Sequence, residues 1–179
     1  TLPLAQPARL AVLFVAMAAL AVGYGSGRVV ELRLSAGAVW RGALLGLVIS
    51  LPVLAFLPGQ LRQFNERLYG TTDVVMIFYQ ACLVAAPLEE FFFRGIVAQG
   101  RGPSASVGLY AAMGLIYFAP HAPFLAVVTV TLAMALLGLV YTHIQESHGL
   151  AAATACHLVA AFVLQVWPSL LGSLRLILG

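Results

Sequence analysis

Apolar residues run along this chain in long blocks broken by short polar clusters, without the alternation of a half-buried strand or the narrow apolar stripe of a soluble helix. With ~20 residues as the length that crosses a hydrocarbon core, the blocks predict six membrane helices. They lie at about residues 10–27, 42–59, 72–98, 105–122, 123–141 and 149–167. Arg28, Arg33 and Arg41 mark the first connection, Arg62, Glu66 and Arg67 the second, and Arg101-Gly102-Pro103 the third. The stretch from Pro120 to Pro123 makes the fourth, and Thr142 to His148 the fifth. The tail from Pro168 is too short to cross again and is expected at the interface. The first apolar block is long and lacks a clear cleavage pattern, so it reads as a span rather than a signal-peptide core. No repeat or linker divides the chain. The expected fold is therefore all-α, a polytopic bundle forming one integral membrane domain over residues 1–179.

Composition agrees with that pattern. The chain is 62% hydrophobic and 8% charged, against roughly 25% charged residues in soluble domains, and its mean hydropathy is +1.01. All nine basic residues are arginines, and a net charge of +3 fits arginines in membrane-flanking segments rather than a nucleic-acid footprint. Under simple alternation Arg9, Arg62, Arg67 and Arg175 fall on one side and the other five on the opposite side, which assigns no orientation. Cys82 and Cys156 lie in apolar stretches without CxxC spacing and read as small buried hydrophobes.

Against this background two adjacent carboxylates stand out. Glu89 and Glu90 make up a third of the six acidic residues and open the run EEFFFRG. Charge inside a membrane is costly and marks function by default, although the same run also suits a helix end at headgroup level with Phe as an anchor. At helical spacing Glu90 and Arg94 share a face with the acid on the N-terminal side, the better order for an ion pair. Glu89, about 100° round the helix, is left without a local cation. The division gives Glu90 and Arg94 a supporting role and leaves Glu89 as a general base for water. Pro87 cannot donate to the carbonyl of Leu83, so the helix should kink or restart just before the pair.

Of the four histidines, His143 and His148 accompany Gln145 and Glu146 in what reads as a solvated connection. His121 lies between Pro120 and Pro123, and His157 lies near the middle of the last apolar block. A single membrane histidine is commonly an interhelical hydrogen-bonding group. Glu89, His121 and His157 together nevertheless form the inventory of a water-activating site. No HExxH motif is present and the two histidines are 36 positions apart, so no cofactor is expected to be obligatory. Were zinc bound, Glu89, His121 and His157 would be its ligands.

At these residues the chain resembles the CPBP group of intramembrane proteases, which includes CAAX prenyl endopeptidases and bacteriocin-processing or self-immunity (Abi-type) proteins. The EExxxR motif of that group is matched by Glu89, Glu90 and Arg94, and its aromatic-xxx-His motif by Tyr117 and His121. Its third motif is matched at His157, while Ala161 stands where a polar residue is usual. The resemblance covers residues 72–167. It implies a helix bundle around an intramembrane polar cavity, with Glu89 activating water, His121 and His157 holding the water or the developing oxyanion, and Glu90 and Arg94 supporting them. Gln165, further along on nearly the same face as His157, is the candidate to replace the missing polar group.

The resulting expectation is a glutamate-dependent endopeptidase in a membrane, the bacterial inner membrane by its resemblance. Its partners would be membrane lipids and a lipidated or membrane-anchored protein or peptide, with C-terminal sorting-signal processing or peptide maturation preferred over prenyl-protein processing for so small a chain. An inactive scaffold or substrate-binding protein of the same fold is the alternative, and a transporter, lacking any visible inverted repeat, comes third. Simple alternation of spans also leaves His121 near one end of its helix, so the three residues converge only if that helix is displaced or unwound at Pro120 and Pro123.

Overall fold

The computed structural model describes residues 6–25, 34–118 and 123–178, and every described element is helical. In chain order they are α1 (Gln6–Gly25), α2 (Ala36–Phe56), α3 (Pro58–Tyr69), α4 (Val74–Arg101), α5 (Pro103–Phe118) and α6 (Phe124–His148). The last, α7, runs without a break through Leu150–Ala161, Phe162–Val166 and Trp167–Leu178. Among the described residues, five stretches are long and apolar enough to cross a bilayer: Ala8–Gly25, Ala36–Phe56, Val74–Arg101, Phe124–His148 and Leu150–Ser173. The remaining predicted span is α5, a shorter helix of 16 residues. This is an integral, multi-pass membrane protein of the all-α class. Its large exposed apolar side chains, among them Val15, Val22, Leu132, Leu136 and Leu139, face outward on the spans, as contact with lipid tails requires.

Three connections differ from the sequence reading. Arg62, Glu66 and Arg67 lie on a helix, α3, because Pro58 starts it, an Arg62–Glu66 pair at 2.8 Å spans one turn, and Gly70 ends it in the left-handed conformation with φ of 64°. Its polar face was mistaken for a loop, while Asn65, Leu68 and Tyr69 are buried. Arg41 likewise falls inside α2, whose first turn begins at Ala36. Thr142 to His148 are the final turns of α6, which stops only at Gly149 with φ of 91°, so His143 and His148 are helical residues. The third connection is as expected: Gly102, with φ of 89°, joins α4 directly to α5. The tail from Pro168 extends α7 as helix. The Pro120 to Pro123 connection lies outside the described residues as far as residue 122.

Close approach of α2 and α7 holds the bundle together. Gly42, Gly46 and Ser50 recur every fourth residue and are buried on one face of α2. A Cβ added at Gly42 would lie 2.1 Å from the carbonyl oxygen of Ala152, and one at Gly46 would lie 2.4 Å from that of Cys156. Small residues at this spacing let two backbones touch where lipid gives no hydrophobic drive. The partner face of α7 is equally small, with Ala152, Ala153, Cys156 and Ala160 buried. The residue after Cys156 is His157, so this contact fixes the height and rotation of the imidazole.

Candidate active site

Proline at position 87 does not break α4. The segment Tyr79–Ala85 widens into a π-helical turn whose Ala86 N–H donates to the Ala81 carbonyl, five residues back. That wider turn absorbs the ring ahead of Ala86–Glu90, and a second π segment, Phe91–Val97, follows the glutamates. The expected kink is thus replaced by two wide turns in a continuous helix. Such turns cluster at functional sites because they re-aim side chains without a break. At the end of the second, the Phe93 carbonyl accepts from the Ala98 N–H and also from Ser106 Oγ of α5 at 2.8 Å.

Between these turns Glu89 and Glu90 are both buried, and they face different partners. Tyr117 at the end of α5 donates its hydroxyl to Glu89 Oε1 at 2.8 Å. The second Glu89 oxygen, Oε2, lies 3.9 Å from His157 Nε2. Glu90 Oε1 meets His157 Nδ1 at 2.8 Å and Arg94 Nη1 at 3.2 Å. A carboxylate held beside a guanidinium is an acceptor, so Nδ1 of the imidazole donates to Glu90 and Nε2 is the nitrogen that faces Glu89. The 3.9 Å gap is too long for a direct hydrogen bond and suits one molecule of water touching both atoms.

The surroundings of Arg94 and His157 are aromatic. The guanidinium carbon of Arg94 lies 4.3 Å from the ring centroid of Tyr110 and 5.3 Å from that of Tyr141, and Nη2 donates to the Gly138 carbonyl at 3.2 Å. Cation–π contact of this kind offsets part of the cost of burying the charge. Tyr141 also stacks on the imidazole of His157, with centroids 4.6 Å apart and planes 15° apart, while Tyr110 approaches it edge-on. Gly138 leaves room for this arrangement, since a Cβ there would sit 3.1 Å from the Tyr110 ring and 3.4 Å from Arg94 Nη2.

Of the residues named from the sequence, Glu89, Glu90, Arg94, Tyr117 and His157 come together in one buried cluster. His121 lies outside the described residues. Gln165 has no hydrogen bond to Glu89 or His157; its Oε1 accepts from Tyr69 of α3. Tyr110, Tyr141 and Gly138 were missed. Aromatic residues in apolar helices carry no signal of their own, and only the need to stabilise a buried arginine would have pointed to them. The described side chains do not supply the three donors of a catalytic zinc site, since no group of three His, Cys, Asp or Glu placed to hold a metal ion is found among the described residues.

The geometry is that of a carboxylate and an imidazole facing one another in a membrane bundle. The family model described as type II CAAX prenyl endopeptidase Rce1-like matches residues 71–163. The chain belongs to this Rce1-like family. The match runs from just before α4 into the π turn of α7, and so takes in all five clustered residues. No curated protein and no solved structure matches the chain. The Rce1-like family is one of proteases of the CAAX type, which supports protease activity in this member.

Proposed function

We propose that the protein is an intramembrane endopeptidase in which Glu89 activates water to hydrolyse a peptide bond of a lipidated or membrane-anchored protein or peptide. The observation that carries this reading is the 3.9 Å facing pair, Glu89 Oε2 and His157 Nε2. A water between two acceptors donates one hydrogen to each and turns a lone pair outward, toward a carbonyl carbon. Glu89 takes the proton as the water oxygen bonds to that carbon and the carbonyl electrons move onto oxygen. Collapse of this tetrahedral species re-forms the carbonyl, breaks the C–N bond and releases the amine with the proton that Glu89 returns.

The other residues hold this arrangement. Tyr117 fixes one oxygen of Glu89, leaving the other for water. Glu90 fixes the tautomer of His157, and Arg94 with its aromatic neighbours balances the negative charge of Glu90. A fixed tautomer matters because a turned imidazole would offer the water an N–H in place of a lone pair. His121, from the resemblance, joins His157 in holding the water or oxyanion. Zinc on Glu89, His121 and His157 would supply Lewis-acid activation of water. None of the steps assigned to Glu89, Tyr117 or Glu90 depends on it.

The test is product analysis in H2(18)O. Purified protein in liposomes is incubated with two probes, a farnesylated CAAX-type peptide and a peptide anchored by an apolar helix. The expected result is cleavage of one probe with a single heavy oxygen in the new carboxylate. Intact probes under conditions where the protein remains folded would contradict the reading.

A further inference from the structure

A hydrolytic site needs donors for the oxyanion as well as a base for water, and loss of one such donor costs roughly 10²- to 10³-fold in kcat. Among the described donors around Glu89, Tyr117 is engaged by Glu89, and Arg94 Nη1 and Nη2 face Glu90 and the Gly138 carbonyl. A separate polar cluster, unused by the mechanism, joins α3 to the wide turn of α7. Asn65, fully buried, donates from Nδ2 to two successive carbonyls, Leu164 at 3.0 Å and Gln165 at 2.9 Å. One turn later on α3, Tyr69 donates its hydroxyl to Gln165 Oε1. With one lone pair of that oxygen occupied, the amide keeps the other lone pair and the two N–H groups of Nε2.

The π turn Phe162–Val166 sets where this amide faces. In an unbroken α-helix the eighth residue after His157 is turned away by roughly 80°; a wide turn that adds about one residue brings it back to within roughly 20° of the imidazole face. The turn itself packs against the start of α4, the helix that carries Glu89. Burial, first, and then the negative charge of nearby Glu89 hold the Tyr69 phenol above its usual range, so Tyr69 is an electrostatic neighbour of the base.

We infer that Gln165 Nε2 is a carbonyl-binding donor of the hydrolytic site, oriented by Tyr69 and Asn65 as positioning residues on α3. This rests on the protease reading above. Hydrogen bonds from Asn65 satisfy the carbonyls of the wide turn and hold its register, and Tyr69, by donating to Oε1, favours the amide orientation that leaves Nε2 as the donor.

The experiment is steady-state hydrolysis of whichever probe is cleaved, by full-length protein in liposomes, comparing Gln165→Ala, Gln165→Glu, Tyr69→Phe and the Tyr69→Phe/Gln165→Ala double variant, with thermal midpoints measured in parallel. Gln165→Ala and Gln165→Glu are expected to lower kcat by ~10²-fold or more with KM changed less than about threefold. Tyr69→Phe should lower kcat by a smaller factor, and the double variant should fall no further than Gln165→Ala, because both act through one amide. A Tyr69→Phe loss that simply multiplies with the Gln165→Ala loss, or wild-type kcat in the folded Gln165 variants while Glu89→Gln is inactive, would overturn the inference and leave the protease reading standing. No hydrolysis of either probe by folded wild-type protein would overturn both. Asn65→Asp, which removes the amide donor at nearly constant volume, supplies the folding control: a lowered midpoint with unchanged kcat per folded molecule would contradict its positioning role.

Discussion

At the residue scale the site is built on unequal partners for two adjacent carboxylates. Glu90 and Arg94 are fully buried, and each is the other's main charge partner, with His157 Nδ1 as a third member. Removing one partner of such a pair leaves an uncompensated charge and costs ~3–5 kcal/mol, whereas removing both is often far milder. Arg94→Met and Glu90→Gln are therefore each expected to lower the thermal midpoint in detergent sharply, and the double variant to recover part of the loss. Additive losses would show that the two side chains do not interact. The pair was legible from its spacing alone, because four residues along a helix fix a shared face. Tyr117, which reaches Glu89 from α5, was named through the resemblance, whereas Tyr141, which reaches His157 from α6, was not, since no local rule links those positions.

At the element scale, the positions that carry the site depend on irregular helix geometry. Three wide turns, two in α4 and one in α7, lie beside Glu89, Arg94 and Gln165. Proline at position 87 hinted at the first by removing a donor, but nothing in the sequence distinguishes a π turn from a kink. The spans themselves were readable from apolar block length. Helix α3 was not, because its arginines and glutamate suggested a loop while Asn65 and Tyr69 gave no sign of burial. The contact of α2 with α7 offers a sharper test. A side chain at Gly46 would drive into the Cys156 carbonyl, next to His157, and overpacking of this kind costs ~1–3 kcal/mol even where the structure can yield. Gly46→Val is expected to lower the thermal midpoint by several degrees and to reduce activity. Gly108→Val, where a Cβ meets no atom within 4 Å, should change the midpoint little. Equal tolerance of the two substitutions, read by detergent unfolding, would contradict the packing described for α2.

At the scale of the whole molecule, the described spans surround a cluster of buried charge, and the chain belongs to a family of CAAX-type proteases. The proposed function rests on the cluster and on the family together, since a helix bundle alone hosts many activities. Metal dependence is decided at this scale too, by whether side chains from separate helices converge on an ion. We expect activity to survive incubation with a chelator, with less than one zinc per chain by elemental analysis. Activity abolished by chelation and restored by zinc, with one bound equivalent lost in His157→Ala, would instead make Glu89, His121 and His157 metal ligands. The central claim is that Glu89 takes the proton from water. Glu89→Gln keeps the size of the side chain and can still accept from Tyr117, but it removes the base, so the most direct measurement is its rate of probe hydrolysis in liposomes at matched folded protein. A loss of at least ~10²-fold in kcat with the thermal midpoint preserved is the result expected. A folded Glu89→Gln protein cleaving within a few-fold of wild type would contradict it.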